Sequence, residues 1–314
     1  MTTRDVGSAE AVAFLRAGGL VAIPTETVYG LAARADDATA VDAIFAAKGR
    51  PRAHPLIVHL ASADDLAAWA AEVPSSARRL ADVLWPGPLT LVVKRAAHVL
   101  DAVTGGRDTV ALRVPRHPLA LEVIRGVGIG LAAPSANLFG RVSPTSASHV
   151  RMENFARDVA VLDGGACEVG LESTILDVSG DVPTLLRPGG VSAETIDAIL
   201  GAPIADGRGG ESRAPGMLAS HYAPRARVIA VRDLVEARER IERERGRIAF
   251  VGREPIEGAR FVEQPSDLGE RARALYATLR SLDGEAIDVI VVELPSEAGL
   301  GVAIADRLRR ASRQ

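Results

Sequence analysis

"LVAIPTETVYGLAARADDATAVDAIFAAKGRPRAHPLIVHL", Leu20 to Leu60, is the stretch whose reading decides the fold. It begins as an apolar run, Leu20 to Ile23, that Pro24 ends, and "TETVYGLAARADD" then carries the chain into a helix. Val41, Ile44, Phe45 and Lys48 recur at helical spacing, and Gly49 with Pro51 stops the helix. "LIVHL" (Leu56 to Leu60) is short and apolar and reads as a buried strand. Strand, helix and strand in immediate succession are the unit of an α/β fold. The same stretch carries a charge signal: from Ala43 to Leu60 it holds Lys48, Arg50, Arg52, His54 and His59 with no acidic residue. A cation at the end of a helix complements the negative pole of the helix dipole, which is one use for Lys48. Another follows from the census of bases. Among 37 lysines and arginines only Lys48 and Lys94 are lysine, and a compact ammonium suits a phosphate oxygen where a guanidinium fork suits bidentate pairing.

Working outward, further strands are expected in "LTLVVK" near Leu89, "TVALRV" from Thr109, "GIGLAA" from Gly128, "VAVLD" from Val159, "STILDV" from Ser173 and "TLLR" from Thr184. The helix "SAETIDAIL" (Ser192 to Leu200) closes the series. Many strands with fewer helices predict a mixed, twisted, open sheet over residues 1–200. Residues 201–225 are rich in Gly, Pro and polar side chains without a sustained period, as a linker is. From 226 to 314 strand and helix alternate, which predicts a small Rossmann-like parallel α/β domain. Its run "EARERIERERGR" alternates in sign at helical spacing and reads as a solvated helix face.

Composition narrows the function classes. The 314 residues, 47% hydrophobic, suffice for two cores, and the net charge of −3 gives no general field to hold nucleic acid. Three Tyr, two Trp and six Phe are too few for a base-stacking platform. The single cysteine, Cys167, excludes an internal disulfide and thiolate clusters, in keeping with a reducing cytoplasm. The N-terminus lacks an uninterrupted apolar segment and no stretch has the length of a membrane span, so a soluble, cytoplasmic protein is expected. No G-x-x-x-x-G-K-[ST], H-E-x-x-H, paired C-x-x-C or G-x-S-x-G occurs, and "GVGIG" (Gly126 to Gly130) lacks the spacing of a dinucleotide fingerprint.

What the sequence offers instead is polar residues where strands end. "PTETVYG" follows the first strand, "KGRPRAHPL" leads to His59, and "TVALRVP" sets Thr109 and Arg113 on one face. "APSANLFGRVSPT" leaves a strand in a hydroxyl-rich turn, "LESTI" opens another, and "LLRPG" ends one with Arg187. In an open α/β sheet such loops gather in one crevice, and a basic crevice suits phosphates and carboxylates.

Taken together, "PTETVYGLA", "KGRPRAHPLIVH", "WPGPLTLVV", "VALRVPRHP", "APSANLFGRVSPTSASHV", "ESTILDV", "LLRPGGVS" and "APGMLASHYAP" resemble the Sua5/YrdC/YciO family, in its long Sua5 form with an added C-terminal domain. The resemblance implies a YrdC-like catalytic domain over 1–200, a linker over 201–225 that serves as a lid, and a Sua5-type domain over 226–314. It implies condensation of L-threonine, bicarbonate and ATP into threonylcarbamoyl-AMP and diphosphate, the first step of the t6A modification of tRNA, with a tRNA threonylcarbamoyl transferase complex downstream. A weak contact with tRNA is compatible with the shared fold. By the same resemblance ATP meets Arg50, His54, Thr109, Ser135, Ser143, Arg187 and Tyr222. Threonine meets Thr27, His59, Arg113, the backbone near Ala133, and Ser173. Lys48 and Arg50 are the catalytic cations, and Asn137 completes the K-x-R plus S-x-N motif. His54 departs from the asparagine of many members. Mg2+ is expected with the ATP, carried mainly by phosphates and water, with Glu26 and Glu172 as the acidic candidates nearby. A carbamoyl-adenylate-forming unit of the hydrogenase-maturation type shares the domain, but Thr27, His59 and Arg113 argue for a threonine pocket.

Overall fold

A computed structural model describes residues 3–208, 222–285 and 287–313. Among them, β1 (Thr3–Asp5), β2 (Val21–Ile23), β3 (Gly30–Arg34), β4 (Ile57–His59), β5 (Leu89–Lys94), β6 (Thr109–Arg113), β7 (Leu131–Ala132), β8 (Val159–Val161), β9 (Thr174–Asp177), β10 (Thr184–Arg187) and β11 (Ala205–Asp206) join in one sheet. Their order is β1, β8, β2, β3, β7, β4, β6, β5, β9, β10, β11. Parallel pairs such as β4 with β6 and β5 with β9 occur beside antiparallel ones such as β2 with β3 and β5 with β6. The sheet is therefore mixed, as expected.

The opening stretch folds largely as its pattern dictates. Asp37 caps the helix Ala38–Lys48 by accepting from the amides of Thr39 and Ala40, and Gly49 ends it in the left-handed conformation at φ 63°. Val41, Ile44 and Phe45 face the core. The difference lies in "TETVYGLAARADD", which holds strand β3 and not a bare passage into the helix. Thr25 explains the reversal: its hydroxyl donates to the Val28 carbonyl at 2.6 Å and accepts from the amides of Thr27 and Val28, folding the chain back so that Gly30 pairs with Ile23. Along β2 and β3 the residues alternate between two cores. Ala22, Leu31 and Ala33 face the helix Ala38–Lys48, while Val21, Ile23 and Ala32 pack among residues of the helices Ser8–Arg16 and Pro118–Val127. A sheet covered on both faces leaves its strand ends as the place for a site.

In the C-terminal part, β12 (Arg227–Val231), β13 (Ile248–Gly252), β14 (Arg260–Glu263) and β15 (Val289–Glu293) form an all-parallel sheet in the order β12, β15, β13, β14. The helix Leu234–Arg243 turns Ala237 and Ile241 inward, and its outer face carries the Arg240–Glu236 and Arg243–Glu239 pairs, the solvated face its sequence predicts. The two parts share a core: Val28, Val142, Leu171 and Tyr222 cluster with Leu275, Tyr276, Leu279, Ile304 and Leu308 of the helices Leu268–Gly284 and Leu300–Ala311. Residues 209–221 of the linker lie outside the described residues, while β11, within 201–208, pairs with β10 and extends the large sheet.

Candidate active site

Strand register brings the first two site residues together. β4 and β6 run parallel with His59 beside Arg113, so both C-terminal strand ends deliver a side chain to one edge. The β2–β3 turn adds Thr25 and Thr27, the loop after β7 adds Ala133, Pro134 and Ser135, Glu172 and Ser173 precede β9, and Arg187 ends β10. These residues, with Val28, Gly30, Arg50, Ile57 and Tyr222, line a cavity of about 50 Å³. Of the residues singled out in the sequence, Thr27, Arg50, His59, Arg113, Ala133, Ser135, Ser173, Arg187 and Tyr222 are thus gathered around one space. Lys48, His54, Thr109, Asn137 and Ser143 are not among its lining residues. Thr109 starts the strand that Arg113 ends, four residues and roughly 13 Å away at a strand's rise per residue. His54 lies outside, its ring 5.5 Å from that of Phe139.

Lys48 stands apart from the cavity lining. Its ammonium does not face the cavity: it is buried and donates to the Ser135 carbonyl at 2.5 Å and to the Asn137 carbonyl. It pins the S-x-N turn from behind, so that Ser135 is held where β7 ends. Burial, and then the neighbouring Arg50, drive its pKa well below the ordinary lysine value. Asn137 assists the same turn, donating to the carbonyls of Leu138 and Arg141.

At one end of the cavity Thr25 and Thr27 share a hydroxyl contact at 2.8 Å, and Arg113 faces Glu26 at 2.8 Å. That approach is not aligned as a hydrogen bond, so Arg113 Nη2 and Glu26 Oε1 both retain bonding capacity, as does His59 Nδ1. Burial raises the Glu26 pKa, but Arg113 and the Arg116 amide outweigh it and hold the carboxylate below its usual value. Burial and then Arg113 lower His59 to about 3, so it stands as a neutral imidazole able to exchange a hydrogen bond with a hydroxyl.

At the other end lie Arg50, Arg187, Ser135, Ser173 and Tyr222. Arg187 donates to the Ser173 carbonyl at 2.9 Å and to its hydroxyl at 3.2 Å, and Ser173 shares a second hydroxyl contact with Thr90 at 2.7 Å. Arg50 commits one arm to the Pro55 carbonyl and keeps Nε unspent; burial brings it to about 10, still charged at neutral pH. Tyr222, fully buried, is the only non-glycine residue with positive φ (63°) among the described residues. Such a conformation costs about 1–2 kcal/mol and persists where the surroundings over-determine it.

The acidic candidates do not fit a protein-held magnesium site. Glu26 is charge-paired with Arg113 at Oε1 and accepts from the Arg116 amide at Oε2, and Glu172 is engaged by Ser143, Tyr276 and Arg307. Among the described residues no group of three or more His, Cys, Asp or Glu side chains is assembled to take a metal. Sequence reasoning did not assign Glu26 as the partner of Arg113, although the even spacing that turns Arg113 inward signals a buried acid. The contributions of Tyr276 and Arg307, more than a hundred residues from Glu172, leave no local trace in the sequence.

Comparison with known proteins adds to this geometry. The Sua5/YciO/YrdC family model, described as "Telomere recombination", matches residues 13–189, and the model "Threonylcarbamoyl-AMP synthase, C-terminal domain" matches residues 191–313. Over 96% of this chain and 93% of the relative, the sequence is 42% identical to a threonylcarbamoyl-AMP synthase of Pyrococcus abyssi (strain GE5 / Orsay). A threonylcarbamoyl-AMP synthase of Bacillus subtilis (strain 168) is 40% identical over 99% of this chain and 94% of its own length. The crystal structure of P. abyssi Sua5 complexed with L-threonine superposes with a TM-score of 0.91, at 40% identity, over 99% of this chain and 98% of that one. No helix among the described residues is long and apolar enough to cross a membrane.

Proposed function

From the premise that the chain belongs to the Sua5/YciO/YrdC family, in its long form with the Sua5 C-terminal domain, we propose that it condenses L-threonine, bicarbonate and ATP into threonylcarbamoyl-AMP, diphosphate and water. The observation that carries this reading is the cavity itself: Arg113 and Arg187 converge on it from separate strand ends and Arg50 from just past the C-terminus of the helix Ala38–Lys48, beside a neutral His59 and the hydroxyls of Thr27, Ser135 and Ser173. Threonine's carboxylate fits Arg113 and its hydroxyl fits His59 and Thr27, with the Ala133 backbone and Ser173 completing that end. The triphosphate fits Arg50, Ser135 and Arg187, with Tyr222 over it and His54, Thr109 and Ser143 toward the nucleoside.

The chemistry suits this arrangement. The carbamate formed from threonine and bicarbonate is a weak anionic nucleophile that must attack the α-phosphorus of ATP, itself surrounded by negative charge. Positioning and neutralisation supply most of the acceleration in such transfers. Arginines fixed at strand and helix ends supply both without a covalent intermediate. Ser143 donates its proton to Glu172 at 2.6 Å, which leaves its oxygen as an acceptor, matched to a ribose hydroxyl rather than to a phosphate oxygen. Mg2+ accompanies the phosphates, held by them and by water. A space of about 50 Å³ is below the 300–1,000 Å³ usual for ligand pockets, so nucleotide entry requires Tyr222, which lines it, to move aside and return over the bound triphosphate. The enclosure shelters the carbamate and the adenylate from water. The product is the activated donor for t6A in tRNA, passed to a threonylcarbamoyl transferase complex in the cytoplasm.

Incubating the protein with ATP, Mg2+, L-threonine and labelled bicarbonate tests the proposal. Label must appear in an adenylate only when all are present. Label that appears without threonine, or diphosphate release that ignores bicarbonate, refutes it.

A further inference from the structure

Glu172 poses a problem for a pocket that takes phosphates, because it places a carboxylate in the cavity wall. Its oxygens are fully engaged. Oε1 accepts from Ser143 Oγ at 2.6 Å, the Tyr276 hydroxyl donates at 2.9 Å to Oε2, and Oε2 also accepts from Arg307 Nε at 2.8 Å. Ser143 belongs to the large-sheet domain, whereas Tyr276 and Arg307 come from the helices Leu268–Gly284 and Leu300–Ala311 of the C-terminal domain.

Arg307 does more than pair. It is 1% exposed; its second arm donates to the Pro188 carbonyl at 3.0 Å, next to Arg187, and its guanidinium lies 5.0 Å over the Tyr222 ring. Asp306, its other acidic contact at 2.6 Å, is shared with Arg310, so the charge of Arg307 remains to balance Glu172. Burial acts to raise the Glu172 pKa, yet Arg307 and Arg187 hold it at about 2, so the carboxylate is ionised and its compensation comes largely from the other domain.

We propose that Arg307 is a charge-neutralising positioning residue of the nucleotide site: the last helix of the C-terminal domain supplies the counter-charge that lets Glu172 orient Ser143 without repelling phosphates. The proposal rests on the reading that this cavity takes ATP. The C-terminal domain is thereby a part of the binding site, and not an appendage behind it. Without Arg307 the Glu172 carboxylate faces the triphosphate stripped of its largest counter-charge, with only Arg187 left against it, while the threonine end, built on Thr27, His59 and Arg113, keeps its own balance through Glu26.

Calorimetric titration of the full chain with Mg-ATP and, separately, with L-threonine tests this, using Arg307→Met, Glu172→Gln and the double variant. Arg307→Met must weaken ATP by about tenfold or more while leaving threonine within about threefold, because truncating one member of a buried pair leaves the other charge unpaired. Adding Glu172→Gln must return ATP affinity to within about threefold of Glu172→Gln alone, the signature of a pairwise coupling. A merely structural role weakens both ligands and is not relieved by Glu172→Gln; that result overturns the proposal, as does an Arg307→Met protein that binds ATP like wild type. If thermal melting shows Arg307→Met unfolded, Arg307→Lys decides: it keeps the charge and must bind ATP within about fivefold of wild type, whereas a loss of about tenfold or more removes charge as the cause. Wild-type protein that binds threonine but no ATP refutes the nucleotide reading itself, an outcome recognisable before any variant is made.

Discussion

Replacing Lys48 by methionine separates two roles that a lysine near an anion site can play. In the structure its ammonium is spent on the carbonyls of Ser135 and Asn137 behind the cavity wall. Methionine matches the stem and removes both donors. Each orphaned buried carbonyl costs about 1–3 kcal/mol. Against that stands the relief of no longer burying an ammonium, a penalty of several kcal/mol per ion before pairing, and evident here in a pKa driven well down. Two orphaned carbonyls cost about 2–6 kcal/mol together and the relief offsets part of that, so the net loss is up to about 2–4 kcal/mol, which for a domain of this size lowers the melting temperature by up to roughly 5–15 °C. Adenylate formation falls as well, because Ser135 no longer holds its place.

Arg50→Ala provides the contrast. Arg50 lines the cavity with its Nε unspent, so its loss removes a contact to substrate and cuts turnover by about 10²-fold or more with a smaller shift in melting. The assay is differential scanning calorimetry beside labelled-bicarbonate turnover on both variants. If Lys48→Met melts within about 2 °C of wild type, keeps wild-type KM values for ATP and threonine, and yet loses turnover as Arg50→Ala does, Lys48 meets substrate directly and the positioning argument fails.

Other outcomes follow from the same geometry. His59 is held near 3 against 6.5 in the unfolded chain, so between those values the unfolded state binds more protons and stability rises with pH. Acidification from pH 6.5 toward 4 therefore destabilises the protein by up to about 1.4 kcal/mol per pH unit per proton, with His149, held near 4, contributing with the same sign. In urea titrations His59→Gln must flatten that slope, and an unchanged slope contradicts the burial argument. Serine must be used at least about tenfold less efficiently than threonine, since one apolar carbon in a fitted pocket is worth about 1–3 kcal/mol; equal kcat/KM values for the two rule out the threonine pocket. Gly189→Ala puts a Cβ 2.3 Å from the Glu172 carbonyl oxygen and 2.4 Å from the Ser173 and Thr174 backbone. It must push that segment off Arg187, lowering stability by about 1–3 kcal/mol or more and weakening ATP; wild-type melting and ATP affinity in this variant exclude so close an approach.

The sequence disclosed what local chemistry controls. Apolar periodicity and capping residues announced the helix Ala38–Lys48 and both flanking strands β2 and β4, and the alternation after residue 226 announced the parallel sheet. Strand β3 stayed hidden because its reversal depends on the Thr25 hydroxyl bonding backbone two and three residues on, in a segment whose apolar content suits a strand and a helix start equally. The site was legible to the extent that its members stand at strand ends, where His59, Arg113, Arg187 and Ser135 were found. Burial decides the remainder. Whether Lys48 faces substrate or the back of a loop depends on the path of residues 135–137 in space, and no spacing along the chain reports it.

Charge balance links these cases. Around the cavity Arg50, Arg113, Arg187 and Arg307 stand against Glu26 and Glu172, two positive charges in excess. Four bare buried guanidinium groups would repel one another and carry a large desolvation cost; two embedded carboxylates hold them in fixed positions before substrate arrives. Under the proposed function the remaining excess suits ATP with part of its triphosphate charge neutralised by magnesium. The carboxylates also divide the labour. Glu26 fixes Arg113 within a single domain, so the threonine end is complete on its own, whereas Glu172 takes its largest opposing charge from the far domain. Under the proposed function, a site built this way must bind threonine whatever the disposition of the two domains and nucleotide only when they are docked. The nucleotide end is therefore the one that domain separation, by truncation or by mutation of the shared core, must weaken first.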